Sequence, residues 1–151
     1  FNPFLNTGAI SICSLLFRDK DPSERFSIVQ SFFREVSSGA KIGFNNAIFL
    51  SERNTADRNK ALAYFMNEHG CFPKSTRIED ILDFYFQTCS LEANVQTMAC
   101  IAATLANGGI CPGTGKRILS SETVKNCLIM LFSCGMYNYS GEWAFHVGLP
   151  A

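Results

Sequence analysis

The sequence predicts a mainly α-helical chain with little sheet of its own, and three observations carry that prediction. Apolar side chains recur at three- and four-residue spacing in most segments. Acidic or hydroxyl residues stand where these segments begin, at Asp21-Pro22-Ser23-Glu24 and Thr76-Arg77-Ile78-Glu79 with a glutamate at the capping-box position. Glycine stands where they end, at Gly39, Gly70 and Gly108-Gly109.

Taken in order, Gly8 to Phe17 is a short apolar run and reads as a buried helix. Asp21 then caps a second helix with proline in its first turn, and Phe26, Val29, Phe32, Phe33 and Val36 follow at helical spacing. A third helix is expected from about Thr55 to His69, with Ala61, Leu62, Phe65 and Met66 on one face. The Thr76 capping box opens onto Ile81, Leu82, Phe84, Tyr85 and Phe86. Ala93 to Ala106 is apolar almost all round and is the expected central buried helix. Residues 110–119, with Pro112, Gly113 and Gly115, suggest a loop or small hairpin, and Ser120-Ser121-Glu122 starts a last long helix reaching Cys134. Strands of any larger sheet are expected outside residues 1–151.

Composition narrows the function. Thirteen Lys and Arg balance thirteen Asp and Glu, so the net charge of zero leaves no electrostatic footprint for nucleic acid or an anionic membrane. No apolar window approaches the roughly eighteen residues of a membrane span. The seven cysteines are odd in number and mostly sit among apolar neighbours, which suggests buried thiols in a reducing compartment. None forms a CxxC pair, and His69 and His146 lack partners at ligand spacing, so no metal site is expected. Fourteen phenylalanines with only 17% charged residues suggest a surface covered by more polypeptide or another subunit. The chain, beginning at Phe1 and ending in Gly148-Leu149-Pro150-Ala151, reads as part of a longer protein.

Two strings imitate catalytic motifs. Gly113-Thr114-Gly115-Lys116 lacks the first glycine of a phosphate-binding loop, because position 110 is isoleucine, and Arg117 replaces its hydroxyl residue, so an ordinary polar turn is expected. Ser38-Gly39-Ala40-Lys41 matches S-x-x-K by letter but spans a helix exit, which favours a C-terminal cap over a nucleophile.

SERNTADRN, residues 51–59, is less easily dismissed. In a continuous helix Glu52 and Asn59 would lie two turns apart and face one cleft, with a carboxylate for an ammonium and a carboxamide for a carboxylate or amide. The residues alone favour a solvated helix entry capped by Thr55, in which Arg53, Asp57 and Arg58 pair locally. In Gly135-Met136-Tyr137-Asn138-Tyr139-Ser140-Gly141 a tyrosine could relay a proton, but anchoring the turn is the simpler role.

In order and spacing, NPFLNTGAI (2–10), GFNNAIFLSERNTADRN (43–59), CFP (71–73), ILDFYFQTCS (81–90), AATLANGGICPGTGKRILS (102–120) and SCGMYNYSGEWAFHVGLPA (133–151) resemble the glutaminase family across the whole chain. These are serine-dependent enzymes that hydrolyse L-glutamine to L-glutamate and ammonia. The phenylalanine- and cysteine-rich character looks most like the animal kidney-type and liver-type members. The resemblance implies a β-lactamase/penicillin-binding-protein-like α/β fold for the full domain. Residues 1–151 would be its mainly helical central part, with the nucleophilic S-x-x-K upstream and a K-S-G strand downstream.

By the same resemblance Asn6 and Asn59 contact bound glutamine, Glu52 holds its α-amino group, Tyr85 lines the pocket, and Tyr137 stands beside the catalytic serine and lysine and relays a proton. It also implies no cofactor, phosphate as an activator in the animal types, and a homo-oligomer, dimer or tetramer. Tyr64 and Phe65, on the helix expected from about Thr55 to His69, are the contact residues expected for it. The location would be the mitochondrial matrix in an animal and the cytoplasm otherwise. Two other readings compete: a non-catalytic module that keeps the fold for assembly, and a penicillin-recognising relative, which Glu52 and Asn59 fit less well.

Overall fold

In the computed structural model, which describes residues 2–151, eight α-helices and a 3-10 turn account for most of the chain among those residues. They are α1 (Asn6–Leu15), α2 (Pro22–Val36), α3 (Asn46–Asn54), α4 (Asp57–Glu68), α5 (Ile78–Cys89), α6 (Val95–Ala106), α7 (Ser121–Cys134), the 3-10 turn (Tyr137–Tyr139) and α8 (Ser140–Val147). Two short strands, β1 (Gly43–Phe44) and β2 (Leu91–Glu92), pair antiparallel with Gly43 opposite Glu92 and Phe44 opposite Leu91. The helical expectation holds. The chain divides into two units, residues 3–32 with 42–92 and residues 33–41 with 93–151.

Unit one is organised around α5. Ile78, Ile81, Leu82, Phe84, Tyr85 and Phe86 are all buried, so five of these six are the residues the pattern placed on its inner face. Ile10 and Cys13 of α1 and Ala63 and Met66 of α4 complete the cluster. Helices α1, α3 and α4 each pack on α5, an arrangement that lets a helix buried over most of its circumference support three others. The start of α2 behaves as expected: Asp21 Oδ1 accepts from the Ser23 and Glu24 amides at 2.9 and 3.1 Å. Glu24 meanwhile pairs with Lys20 at 3.0 Å.

Three local expectations require correction. The helix expected from about Thr55 to His69 is α4, Asp57–Glu68, but Thr55 is not its cap. Thr55 Oγ1 donates to the Ser51 carbonyl at 2.9 Å and closes the end of α3, while α4 starts after Ala56, which offers no capping side chain. The buried face of α4 is Ala63 and Met66; Ala61 and Phe65 are exposed. Thr76 does not cap α5. Its hydroxyl donates to the Pro73 carbonyl at 2.6 Å, and the cap residue is Arg77, with no side-chain bond.

Unit two is held by small polar groups as much as by oil. Thr104 Oγ1 lies 2.9 Å from the Val36 carbonyl and 3.0 Å from that of Cys100, joining α6 to the end of α2. Only Thr97 and Thr104 of α6 are buried, and Val95 and Met98 are exposed, so α6 is not the central buried helix. Residues 110–117 form the expected small hairpin through the Ile110–Arg117 bridge, with Gly115 in the left-handed region at φ 67°. Gly109, at φ 90°, passes so close to Leu119 that a Cβ would strike its carbonyl oxygen. Arg117 Nη1 donates to the Gly108 carbonyl at 2.8 Å and reaches Ser121 Oγ at 3.3 Å, so the arginine that spoils the phosphate-loop motif straps the hairpin to α7. Ser120 Oγ caps α7 by accepting from the Thr123 amide at 3.0 Å. At the other look-alike motif, Ser38 and Gly39 are left-handed and the Gly39 amide donates to the Arg34 carbonyl at 2.7 Å, a helix C-cap as expected.

Candidate active site

The pairing of β1 with β2 sets the site's geometry in motion. Asn45, directly after β1, donates through Nδ2 to Glu92 at 2.8 Å and accepts the Ile48 amide at 3.1 Å, which fixes where α3 begins. Arg53 of α3 then reaches Asp83 of α5 at 3.0 Å. This pairing is between helices, not within the 51–59 segment as the local reading supposed. It holds the last turn of α3, which carries Glu52, against the helix that carries Tyr85.

Glu52 is exposed, and its charge is felt at Tyr85 and Cys89. Tyr85 is almost fully buried. Burial, then Cys89 and Glu52, push its hydroxyl well above the ordinary phenol range, so it is a neutral group throughout the physiological range. The Cys89 thiol, shielded from water although the residue as a whole is exposed, is raised by that desolvation against the hydrogen bond from Tyr85. Cys13 is pushed up to about 11, chiefly by burial. Two protonated thiols therefore flank the tyrosine.

Sequence reasoning missed them as neighbours of the site, although Tyr85 and Cys89 are one helical turn apart. It also expected mostly buried cysteines, whereas Cys71 and Cys89 are exposed and only Cys13 and Cys111 are buried.

Asn6, the first residue of α1, and Asn59, in the first turn of α4, meet directly: Asn6 Nδ2 donates to Asn59 Oδ1 at 2.8 Å. The bond uses one donor of one amide and one acceptor of the other, and a carboxamide has further donors and acceptors to offer a ligand. Glu52 and Asn59 do not share one continuous helix. They stand on successive helices separated by Thr55 and Ala56, and both helices pack on α5.

Tyr137 belongs to unit two and opens the 3-10 turn with φ 55°, a left-handed conformation unusual for a bulky residue. Its ring is 54% exposed. The turn is secured by Ser140 Oγ, which accepts the Met136 amide at 3.0 Å, so the anchoring role imagined for the tyrosine hydroxyl belongs to a serine. Among the described residues no three His, Cys, Asp or Glu side chains gather as a metal site, and no helix is long and apolar enough to cross a membrane.

The family model described as Glutaminase matches residues 1–151. The rat mitochondrial liver isoform of glutaminase is 48% identical over 150 residues, covering 99% of this chain and 25% of that protein. Glutaminase 2 of Clostridium perfringens is 43% identical over 151 residues, covering all of this chain and 48% of that protein. A crystal structure of the covalent complex between the Bacillus subtilis glutaminase and 5-oxo-L-norleucine, formed by reaction with 6-diazo-5-oxo-L-norleucine, superposes with a TM-score of 0.89 at 32% identity, over all of this chain and 51% of that one. The chain thus spans a quarter to a half of the length of the relatives it matches. Its helices are the mainly helical part of their β-lactamase-like fold. Because the family model matches this chain from its first residue to its last, the chain belongs to the glutaminase family.

Proposed function

We propose that the protein containing this chain hydrolyses the side-chain amide of L-glutamine, giving L-glutamate and ammonia through a γ-glutamyl ester on a serine. The observation that carries this reading is the direct Asn6–Asn59 bond, which brings together two amides 53 positions apart. Family membership and the Bacillus relative's covalent complex with 5-oxo-L-norleucine support it.

Residues 1–151 would supply the clasp. Glu52 accepts from the α-ammonium, Asn6 and Asn59 bind the polar groups of the ligand, and Tyr85 donates from a hydroxyl that stays neutral. Tyr137 passes protons near the nucleophile. The serine, its lysine and the oxyanion-hole amide would come from polypeptide before and after these residues, so the chain by itself is expected to release no ammonia. No cofactor takes part, and phosphate acts as an activator.

The clasp gives selectivity a physical cause, because a ligand without an α-amino group would leave Glu52 unpaired, at about 1–3 kcal/mol. The test is ammonia release from glutamine by the intact protein and by Glu52→Gln. A variant as active as the wild type at low glutamine would overturn the assignment of Glu52.

The finer setting belongs to the same proposal. The mitochondrial relatives in rat and mouse support the mitochondrial matrix, while the bacterial relatives fit a cytoplasmic setting. A homo-oligomer, dimer or tetramer, would use Tyr64 and Phe65 on α4, which are 54% and 55% exposed. Mass measurement in solution of the Tyr64→Ala, Phe65→Ala double variant checks this, and an unchanged assembly counts against those contacts.

A further inference from the structure

A phenol has one proton to give, so a tyrosine that donates to a ligand must be the acceptor in any second hydrogen bond. Tyr85 holds that position in the proposed clasp. It is only 8% exposed and its ring lies against Phe86, with centroids 5.6 Å apart, so its second partner has to come from the protein more than from water. The hydroxyl is hydrogen-bonded to Cys89. Glu52 and Cys13, also close, act on it through charge, and Cys13 is engaged with the Thr88 hydroxyl. Either member of the Tyr85–Cys89 bond can supply its proton. Once the tyrosine proton goes to a ligand, the thiol is the donor.

Cys89 is well placed for that task. It closes α5 one turn after Tyr85, a spacing at which helical side chains meet. The backbone around it is pinned on both sides: Thr88 Oγ1 donates to the Tyr85 carbonyl at 2.8 Å, and Ser90 Oγ donates to the Phe86 carbonyl at 2.7 Å. Neither bond uses the thiol, so the helix end is held whatever side chain stands at position 89. Loss of water around the thiol, and then the charge of Glu52, disfavour the thiolate and keep the proton on sulfur. A thiolate could only accept, and would draw the tyrosine proton away from a ligand.

We infer that Cys89 is a positioning residue for glutamine binding: its S–H donates to the Tyr85 hydroxyl, which leaves the single phenol proton directed at the substrate. This rests on the proposed hydrolysis and on the place of Tyr85 in the clasp, and it gives the donor direction of that tyrosine a cause. The thiol acts through Tyr85 and makes no contact with glutamine itself. A hydroxyl at position 89 could do the same work, whereas an apolar side chain of similar bulk could not.

Steady-state hydrolysis of glutamine by the intact protein tests this with Cys89→Ala, Cys89→Val, Cys89→Ser, Tyr85→Phe and the Tyr85→Phe, Cys89→Ala double variant. Cys89→Ala and Cys89→Val should each lower kcat/KM about 3- to 10-fold, the scale of one neutral hydrogen bond, and Cys89→Ser should recover about half of the wild-type value or more. Tyr85→Phe should lose more, and Cys89→Ala added to it should change nothing further, because the hydroxyl through which the thiol acts is gone. A packing role would give losses that add in the double variant and that serine does not relieve. Cys89→Val takes the place of Cys89→Ala throughout if the alanine variant does not fold. Additive losses, no recovery in Cys89→Ser, or a Cys89→Val protein as active as the wild type would each overturn the role of Cys89. A wild-type protein that releases no ammonia would overturn the proposed hydrolysis and this role with it, a result seen before any variant is made.

Discussion

Glu52 and Arg53 are adjacent in sequence and do different work. Glu52 is the proposed ammonium ligand, so Glu52→Gln should lower kcat/KM for glutamine by roughly 10- to 100-fold, the equivalent of a charged hydrogen bond of about 1.5–3 kcal/mol. Arg53 only positions it. Its bond to Asp83 is half-exposed, and removing it by Asp83→Asn should cost under about 1 kcal/mol in a denaturation experiment. The same variant should raise KM severalfold with kcat nearly kept, because α3 loses its tie to α5.

Cys13 offers a test of burial by pH. Its thiol is raised from 9.0 to about 11, so the folded state holds the proton more tightly than the unfolded one. The stability this confers is complete below pH 9 and is lost as pH rises through about 11. Chemical denaturation between pH 8 and 11 should show that decline, and Cys13→Ala should flatten its share of it. Tyr85 and Cys89, also raised, keep part of the slope in the variant.

At the scale of elements, what the sequence revealed depended on whether a signal was local. The inner face of α5 was legible because five apolar positions repeat within one helix and all of them are buried. The end of α3, just before α4, was not, since no glycine or proline marks it; a threonine bonding back to Ser51 does. Apolar composition misled at α6, because it says how oily a helix is and not what covers it. Asn6 and Asn59 could be paired from letters only through family resemblance. The turn at Gly109 is the element most sensitive to a single added carbon. Gly109→Ala should destabilise by about 2 kcal/mol or more, from the left-handed φ and the collision with Leu119 together, readable as a lower melting temperature.

For the molecule as a whole, the expectation of a covered surface acquires an address. Ile129 and Phe132 on α7 and Phe145 on α8 are 53%, 63% and 84% exposed, alongside Leu128, Met130 and Leu131. Exposed apolar area of this kind attracts partners or aggregates. The 151-residue chain expressed alone should therefore bind a hydrophobic dye and aggregate through this face, and the intact protein should not bind the dye. A monodisperse, dye-negative isolated chain would show that this face tolerates water. The two units also differ in how they are held, one by a single buried helix and the other by threonine, serine and arginine bonds to carbonyls.

The backbone of Tyr137 has a consequence for anyone who would engineer this protein. A left-handed bulky residue costs about 1–2 kcal/mol, and its half-exposed ring returns little of that through packing. Asparagine tolerates the same conformation. Tyr137→Asn should therefore melt higher than the wild type while removing the proposed proton relay, so a screen for thermal tolerance alone would select, at this one position, against that proposed role.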